Sequence, residues 1–140
     1  MKKENVLILS ALLIIALGMA WYLWFGGKEV VNADRVSVVD QPARDRVVVE
    51  NIVLKEPGYV VIYGDAGGMP GEMLGNGELI VGRHKNVVVF LNREVKQGET
   101  LYVILHRDDG DGGFEFPGAD GPVTDETSRI ILDSFVVLES

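Results

Sequence analysis

The pattern of apolar and polar positions divides this chain into two unlike parts. Val6 to Phe25 (VLILSALLIIALGMAWYLWF) runs for twenty residues without a charge. A helix of that length reaches roughly 30 Å, the thickness of a bilayer's hydrocarbon core, so the run predicts one N-terminal transmembrane helix. A cleavable signal peptide is the competing reading, because Lys2 and Lys3 form a basic leader and Gly18-Met19-Ala20 resembles a small-x-small processing site ending at Ala20. The run continues through Trp21, Tyr22, Leu23, Trp24 and Phe25, and Trp and Tyr settle at the headgroup level. That continuation favours an uncleaved signal-anchor.

Beyond the run, Gly26-Gly27-Lys28-Glu29 breaks the helix, and residues 26–33 read as a short tether. From Asp34 the pattern is that of strands and turns. Val36-Ser37-Val38-Val39, Arg46 to Leu54 (RVVVENIVL) and Gly58 to Tyr63 (GYVVIY) are rich in β-branched residues, with turns expected at Asp40-Gln41-Pro42 and Glu56-Pro57-Gly58. Glu72 to Gly75 and Glu78 to Val81 flank Asn76-Gly77, a pair suited to a type I′ hairpin turn. Val87 to Leu91 and Leu101 to Leu105 read as partners joined through Lys96-Gln97-Gly98, and Arg129 to Leu138 as a last strand with a bulge or turn at Asp133-Ser134. Several runs are apolar on both parities, which suits strands covered on both faces. The expectation is an all-β domain over residues 34–140, a single immunoglobulin-like or cupredoxin-like sandwich of about seven strands.

Charge sets the orientation and narrows the partners. Lys2 and Lys3 precede the helix while Glu29 balances Lys28 after it, so the positive-inside rule places leader residues 1–5 in the cytoplasm and the domain outside, in a single-pass arrangement. The formal net charge is −8, and removing the +1 of Lys2, Lys3 and Glu4 leaves −9 for the remainder. Such a surface repels nucleic acid. The expected partners are the lipid bilayer, through the helix, and a protein or glycan outside it. The chain has no Cys, which removes lipidation at Cys, disulfides, thiolate zinc sites and Cys-ligated copper together.

One long connection stands apart. Asp108 to Glu126 (DDGDGGFEFPGADGPVTDE) holds seven acidic residues, with Phe114 and Phe116 placed to pin the loop onto the end of the sandwich. The chain resembles an uncharacterised family of small β-sandwich domains of exported and cell-surface proteins of archaea and bacteria. The matching stretches are Asp40-Gln41, Gly58 to Ile62, Gly71-Glu72, Leu74-Gly75, Gly82, His84, Asn86-Val87, Leu105-His106, Asp108, and above all Phe114 to Val123 (FEFPGADGPV). The resemblance implies a fold and a cell-surface setting and brings no catalytic residues.

The residues bear on three chemistries. The carboxylates of Asp108, Asp109 and Asp111 suit Ca²⁺, a hard cation that takes oxygen ligands, although counting from Asp109 and Asp111 the fifth position is Gly113 and the sixth is Phe114 where an EF-hand needs Gly. The same residues also suit Asx-turns that shape the loop. His84 and His106, with Met69 or Met73, form a conceivable copper set of a Cys-free kind, and histidines of this sort also hydrogen-bond neighbouring backbone. No Gly-x-Ser-x-Gly elbow and no phosphate-cradling loop before a helix occurs, so no enzyme is expected.

Overall fold

The computed structural model describes residues 13–17, 19–20 and 31–140. The chain divides into two compact units, Met1–Val30 and Val31–Ser140. In the first, residues 13–17 and 19–20 are helical and exposed. The ends of the expected anchor, Val6 and Phe25, and most of the tether lie outside the described residues, and among the described residues no helix is long and apolar enough to cross a membrane.

The second unit is all-β. Its strands are β1 (Arg35–Ser37), β2 (Gln41–Pro42), β3 (Arg46–Asp65), β4 (Pro70–Asn76), β5 (Ile80–Phe90), β6 (Thr100–Arg107) and β7 (Leu132–Leu138), hydrogen-bonded into one curled sheet. The spine is β3. Gly58 pairs with Arg107 of β6 on one side and Ile80 of β5 on the other, while Ile52 lies between Val36 of β1 and His84 of β5. One edge of β3 therefore carries β1 and β6, and the other carries β5 and β4. β7 continues from β6 antiparallel, and β2 joins β7 in parallel at Gln41↔Val137.

This arrangement corrects five local expectations. Gln41-Pro42, expected in a turn, is the short strand β2 on the edge of β7. Glu56-Pro57-Gly58 is not a chain reversal: β3 runs through it as one strand of 20 residues, with a register irregularity between Leu54 and Gly58 and with Lys55, Glu56 and Pro57 exposed. Proline fits there because the kinked segment asks nothing of its missing N–H. Asn76-Gly77 is not a hairpin turn either. β4 and β5 do not pair with each other, and the chain between them continues along the same edge of β3, with the Gly77 N–H donating to the Val60 carbonyl at 2.8 Å. Glycine is required there by proximity, since a Cβ at Gly77 would lie 2.9 Å from Val60 Cγ1. Likewise β5 pairs with β3 rather than with β6. At Asp133-Ser134 the ladder is regular, Asp133 facing Val103 and Ser134 facing Tyr102, and the Asp133 carboxylate accepts the Val38 N–H at 2.9 Å.

Curling brings the two halves of β3 over one another. Val47, Val49, Ile52 and Leu54 of its first half meet Val60 and Ile62 of its second in one core with Leu101, Val103, Leu105, Phe135 and Val137. The alternate residues of the second half, Tyr59, Val61 and Tyr63, form a smaller cluster on the other face with Tyr102 and Ile104. A bare sheet face would leave those side chains wet. Here the long loop covers them, with Phe114 and Phe116 packed against the cluster.

Candidate functional site

The loop seals a face of the sheet rather than its end. Phe114 meets Tyr59 edge-on with ring centroids 5.2 Å apart, and Phe116 meets His106 at 4.8 Å, both favourable aromatic geometries. The Phe116–Pro117 peptide is cis.

Beneath these rings lie the two buried polar residues of the described domain, His106 and Asp120. His106 Nδ1 is 2.8 Å from the Asp120 carbonyl oxygen, which only accepts, so Nδ1 carries the proton and Nε2 accepts from the Tyr63 hydroxyl at 2.9 Å. Burial lowers the His106 pKa, opposed by the Asp120 carbonyl and carboxylate, and burial pushes the Tyr63 phenol up to about 12. Both groups are therefore neutral near pH 7. The Asp120 carboxylate accepts the Asp109 N–H at 2.9 Å on one oxygen and the Glu115 N–H at 2.7 Å on the other, tying the two halves of the loop together.

Above this buried layer the acidic run folds into three successive Asx-turns. The Gly110 N–H donates to Asp108, the Asp111 N–H to Asp109 and the Gly113 N–H to Asp111, at 3.1, 3.1 and 2.9 Å. Gly110 and Gly112 take φ of 105° and 75°, positions that only glycine occupies without strain. The Tyr59 hydroxyl reaches the Asp108 carboxylate at 3.4 Å, and its pKa is raised by burial first and by that carboxylate second.

These turns draw the carboxylates together. Asp108, Asp109, Asp111 and Asp120 each present an oxygen within 4.8 Å of the others. At Asp109 the Asp111 N–H is the largest single influence and lowers the pKa, yet the facing Asp111 carboxyl, burial and Asp120 outweigh it and the value is raised. An all-oxygen donor set of this kind fits the chemistry of Ca²⁺. Asp120, absent from the metal set read from sequence, is its buried floor. Its place in Gly118-Ala119-Asp120-Gly121, a turn-forming stretch, was the available signal.

The structure does not bring the two histidines together. His84 faces Ile52 and His106 faces Tyr59, seven positions apart along β3 and on its opposite edges. His84 Nε2 donates to the Val81 carbonyl at 2.9 Å. Both His106 nitrogens are engaged, and the residue it grips is Asp120, not the neighbouring Asp108.

Comparison with known proteins gives a family. Residues 34–137 match the family described as a domain of unknown function, DUF7282. Over 106 residues the chain is 32% identical to Cell surface glycoprotein 1 and 31% identical to Cell surface glycoprotein 2 of Haloarcula hispanica. Each match covers 72% of this chain and 11% of the relative, so the similarity concerns one domain of a far longer protein. No solved structure matches.

Proposed function

This chain belongs to the DUF7282 family of domains of unknown function, and we propose that it is a membrane-anchored, extracytoplasmic β-sandwich module of immunoglobulin-like or cupredoxin-like type, with a structural or binding role at the cell surface and no catalytic step of its own. The observation that carries the structural part is the use made of the buried polar groups. His106 joins the Asp108–Glu126 loop to the sheet through the Asp120 carbonyl, and the Asp120 carboxylate ties the two halves of that loop together. Such a network rigidifies a presented surface rather than priming an acid or base. The printed names of the relatives, both cell surface glycoproteins, support the setting, and the uncharged run Val6 to Phe25 with Lys2 and Lys3 before it supports an anchor with a cytoplasmic N-terminus.

Epitope tags on either end of the full chain test this. On intact cells the C-terminal tag is expected to be accessible to antibody and the N-terminal tag only after permeabilisation. A hidden C-terminal tag overturns the reading, and a mature chain beginning at Trp21 overturns the anchor.

The four-carboxylate cluster favours a second reading, a module whose loop binds Ca²⁺ through Asp108, Asp109, Asp111 and Asp120. The ion would neutralise carboxylates that the turns hold close together. A calcium titration of thermal stability tests it.

A further inference from the structure

Side chains finish the sheet of this domain at several of its edges. The Gln41 amide accepts the Val48 N–H at 2.9 Å and donates to the Val48 carbonyl at 2.8 Å, standing in for a neighbouring strand beside β3. The Asp40 carboxylate accepts the Val136 N–H of β7 at 2.8 Å. Asn92 covers β4, its N–H and Nδ2 donating to the Leu74 and Met73 carbonyls at 2.7 and 3.2 Å. A strand edge whose groups are already engaged offers no template to another chain.

The outer edge of β5 is treated differently. Among the described residues β5 pairs with β3 alone, and Leu91, next in register after Phe90, donates its N–H to the Asp45 carbonyl at 2.8 Å. Backbone groups alternate in direction along a strand, so those of Val88, three residues earlier, point away from β3. The partner strand agrees: Val48, which faces Val88, gives its own N–H and carbonyl to Gln41 on the far side. At Phe90 the strand meets β4 closely, since a Cβ on Gly75 would lie 2.1 Å from the Phe90 carbonyl oxygen. Beyond that contact β4 and β5 share no ladder, and a groove of about 460 Å³ opens between β5 and residues 76–80. Half-buried Ile80 and Val87 and exposed Val88 and Phe90 make its apolar wall, and exposed Glu78 lies across from them. An open N–H and carbonyl beside an apolar wall are what an extended backbone needs in order to add itself to a sheet.

We propose that this groove takes an extended segment of a partner protein, β-branched and flanked by lysine, as an added strand on β5. The Val88 N–H and carbonyl would pair with the segment's backbone, Ile80, Val87 and Phe90 would cover its apolar side chains, and Glu78 would face its lysine. Charge favours a basic segment, because the chain carries a formal net charge of −8 and the groove wall adds Glu78. The groove suits one strand better than a second copy, whose β5 would bring its own residues 76–80 against these. The proposal rests on the binding role given above and supplies its class of partner. It is tested on purified protein, so it fails separately from exposure at the cell surface.

The test is titration of the full chain, kept soluble in non-ionic detergent, with the end-blocked peptide Lys-Val-Thr-Val-Thr-Val-Lys, followed by amide NMR and calorimetry. Saturable binding is expected, with shifts at Ile80, Val88 and Phe90 and slower hydrogen exchange at the Val88 amide. The same peptide N-methylated at every valine and threonine keeps its side chains, loses its donors and is expected not to bind. Val88→Lys, a charge set on the open edge, should weaken binding by roughly tenfold at nearly unchanged melting temperature, because the side chain is exposed. Glu78→Lys should shift the preference to the peptide with Glu in place of both lysines. No saturable binding, equal binding of the methylated peptide, shifts confined to residues outside the groove, or unslowed exchange at Val88 would each overturn the assignment. A peptide-free dimer that protects the Val88 amide would overturn it in favour of a second copy.

Discussion

The Tyr63 hydroxyl and His106 Nε2 meet at 2.9 Å in the interior, on adjacent strands paired through Tyr63↔Tyr102 and Tyr59↔His106, and this contact determines what the domain does with its longest loop. The Asp120 carbonyl, which only accepts, fixes the tautomer with the proton on Nδ1, so Nε2 accepts the hydrogen bond of the Tyr63 hydroxyl, and Asp120 gathers the loop by its carboxylate. His106→Ala is expected to leave Tyr63 and the Asp120 carbonyl without partners and open a cavity, at a cost of about 2–4 kcal/mol. Tyr63→Phe, which orphans only Nε2, should cost about 1–3 kcal/mol. Urea denaturation of both variants checks the order, and a neutral His106→Ala would refute the network.

Acidification should report the same contact. Burial lowers the His106 pKa from its ordinary 6.5, so between the two values the unfolded chain takes up a proton that the folded imidazole refuses. The stability contributed by the neutral ring is complete above about pH 6.5 and is lost as the pH falls toward the folded value. Melting temperatures measured from pH 8 to pH 5 should fall more steeply for the parent protein than for His106→Gln. Parallel curves would place the titration elsewhere.

Removing one charge tests the tie across the loop. In Asp120→Asn one oxygen becomes an NH₂ facing a backbone N–H, so one of the two donors, Asp109 or Glu115, loses its acceptor. The expected cost is about 1–3 kcal/mol, with faster hydrogen exchange at Asp109 and Glu115 than at strand residues such as Val61. Unchanged exchange at both amides would show that the aromatic contacts alone hold the loop.

Gly58 shows how closely β3 and β6 approach beside this network. A Cβ there would sit 2.2 Å from the His106 carbonyl oxygen, a backbone atom that cannot step aside. Gly58→Ala is expected to cost about 3 kcal/mol or to prevent folding, measured by circular dichroism and thermal melting. A variant with parental stability would mean that the strands separate freely.

Calcium distinguishes the two uses of the aspartates. If the cluster binds the ion, Ca²⁺ at about 100 times its Kd adds about 2.7 kcal/mol of apparent stability, and EDTA reverses it. Asp111→Asn, on the exposed side of the cluster, should abolish the response while leaving the ion-free melt nearly unchanged. A melt indifferent to both Ca²⁺ and EDTA would reduce these residues to turn formers.

The sequence by itself determined the class of the domain and the importance of one loop. Runs such as Arg46 to Leu54 and Leu101 to Leu105 are too β-branched and too short for helices, and Phe114 and Phe116 in an otherwise polar stretch required a surface to pack on. Tertiary structure decided the pairing. Asn76-Gly77 is locally a good turn and Pro57-Gly58 a good breaker, yet β3 runs on through Pro57-Gly58 and the chain passing Asn76-Gly77 stays on the same edge of β3 from β4 to β5. Partner choice follows from burying Val47 to Leu54 against Val60, Ile62 and β6, contacts distant in sequence that no local propensity encodes. The same holds for the site. Sequence placed Asp108, Asp109 and Asp111 together because they are neighbours, but Asp120 joins them only because His106, buried on β6 by the loop's own phenylalanines, holds its carbonyl.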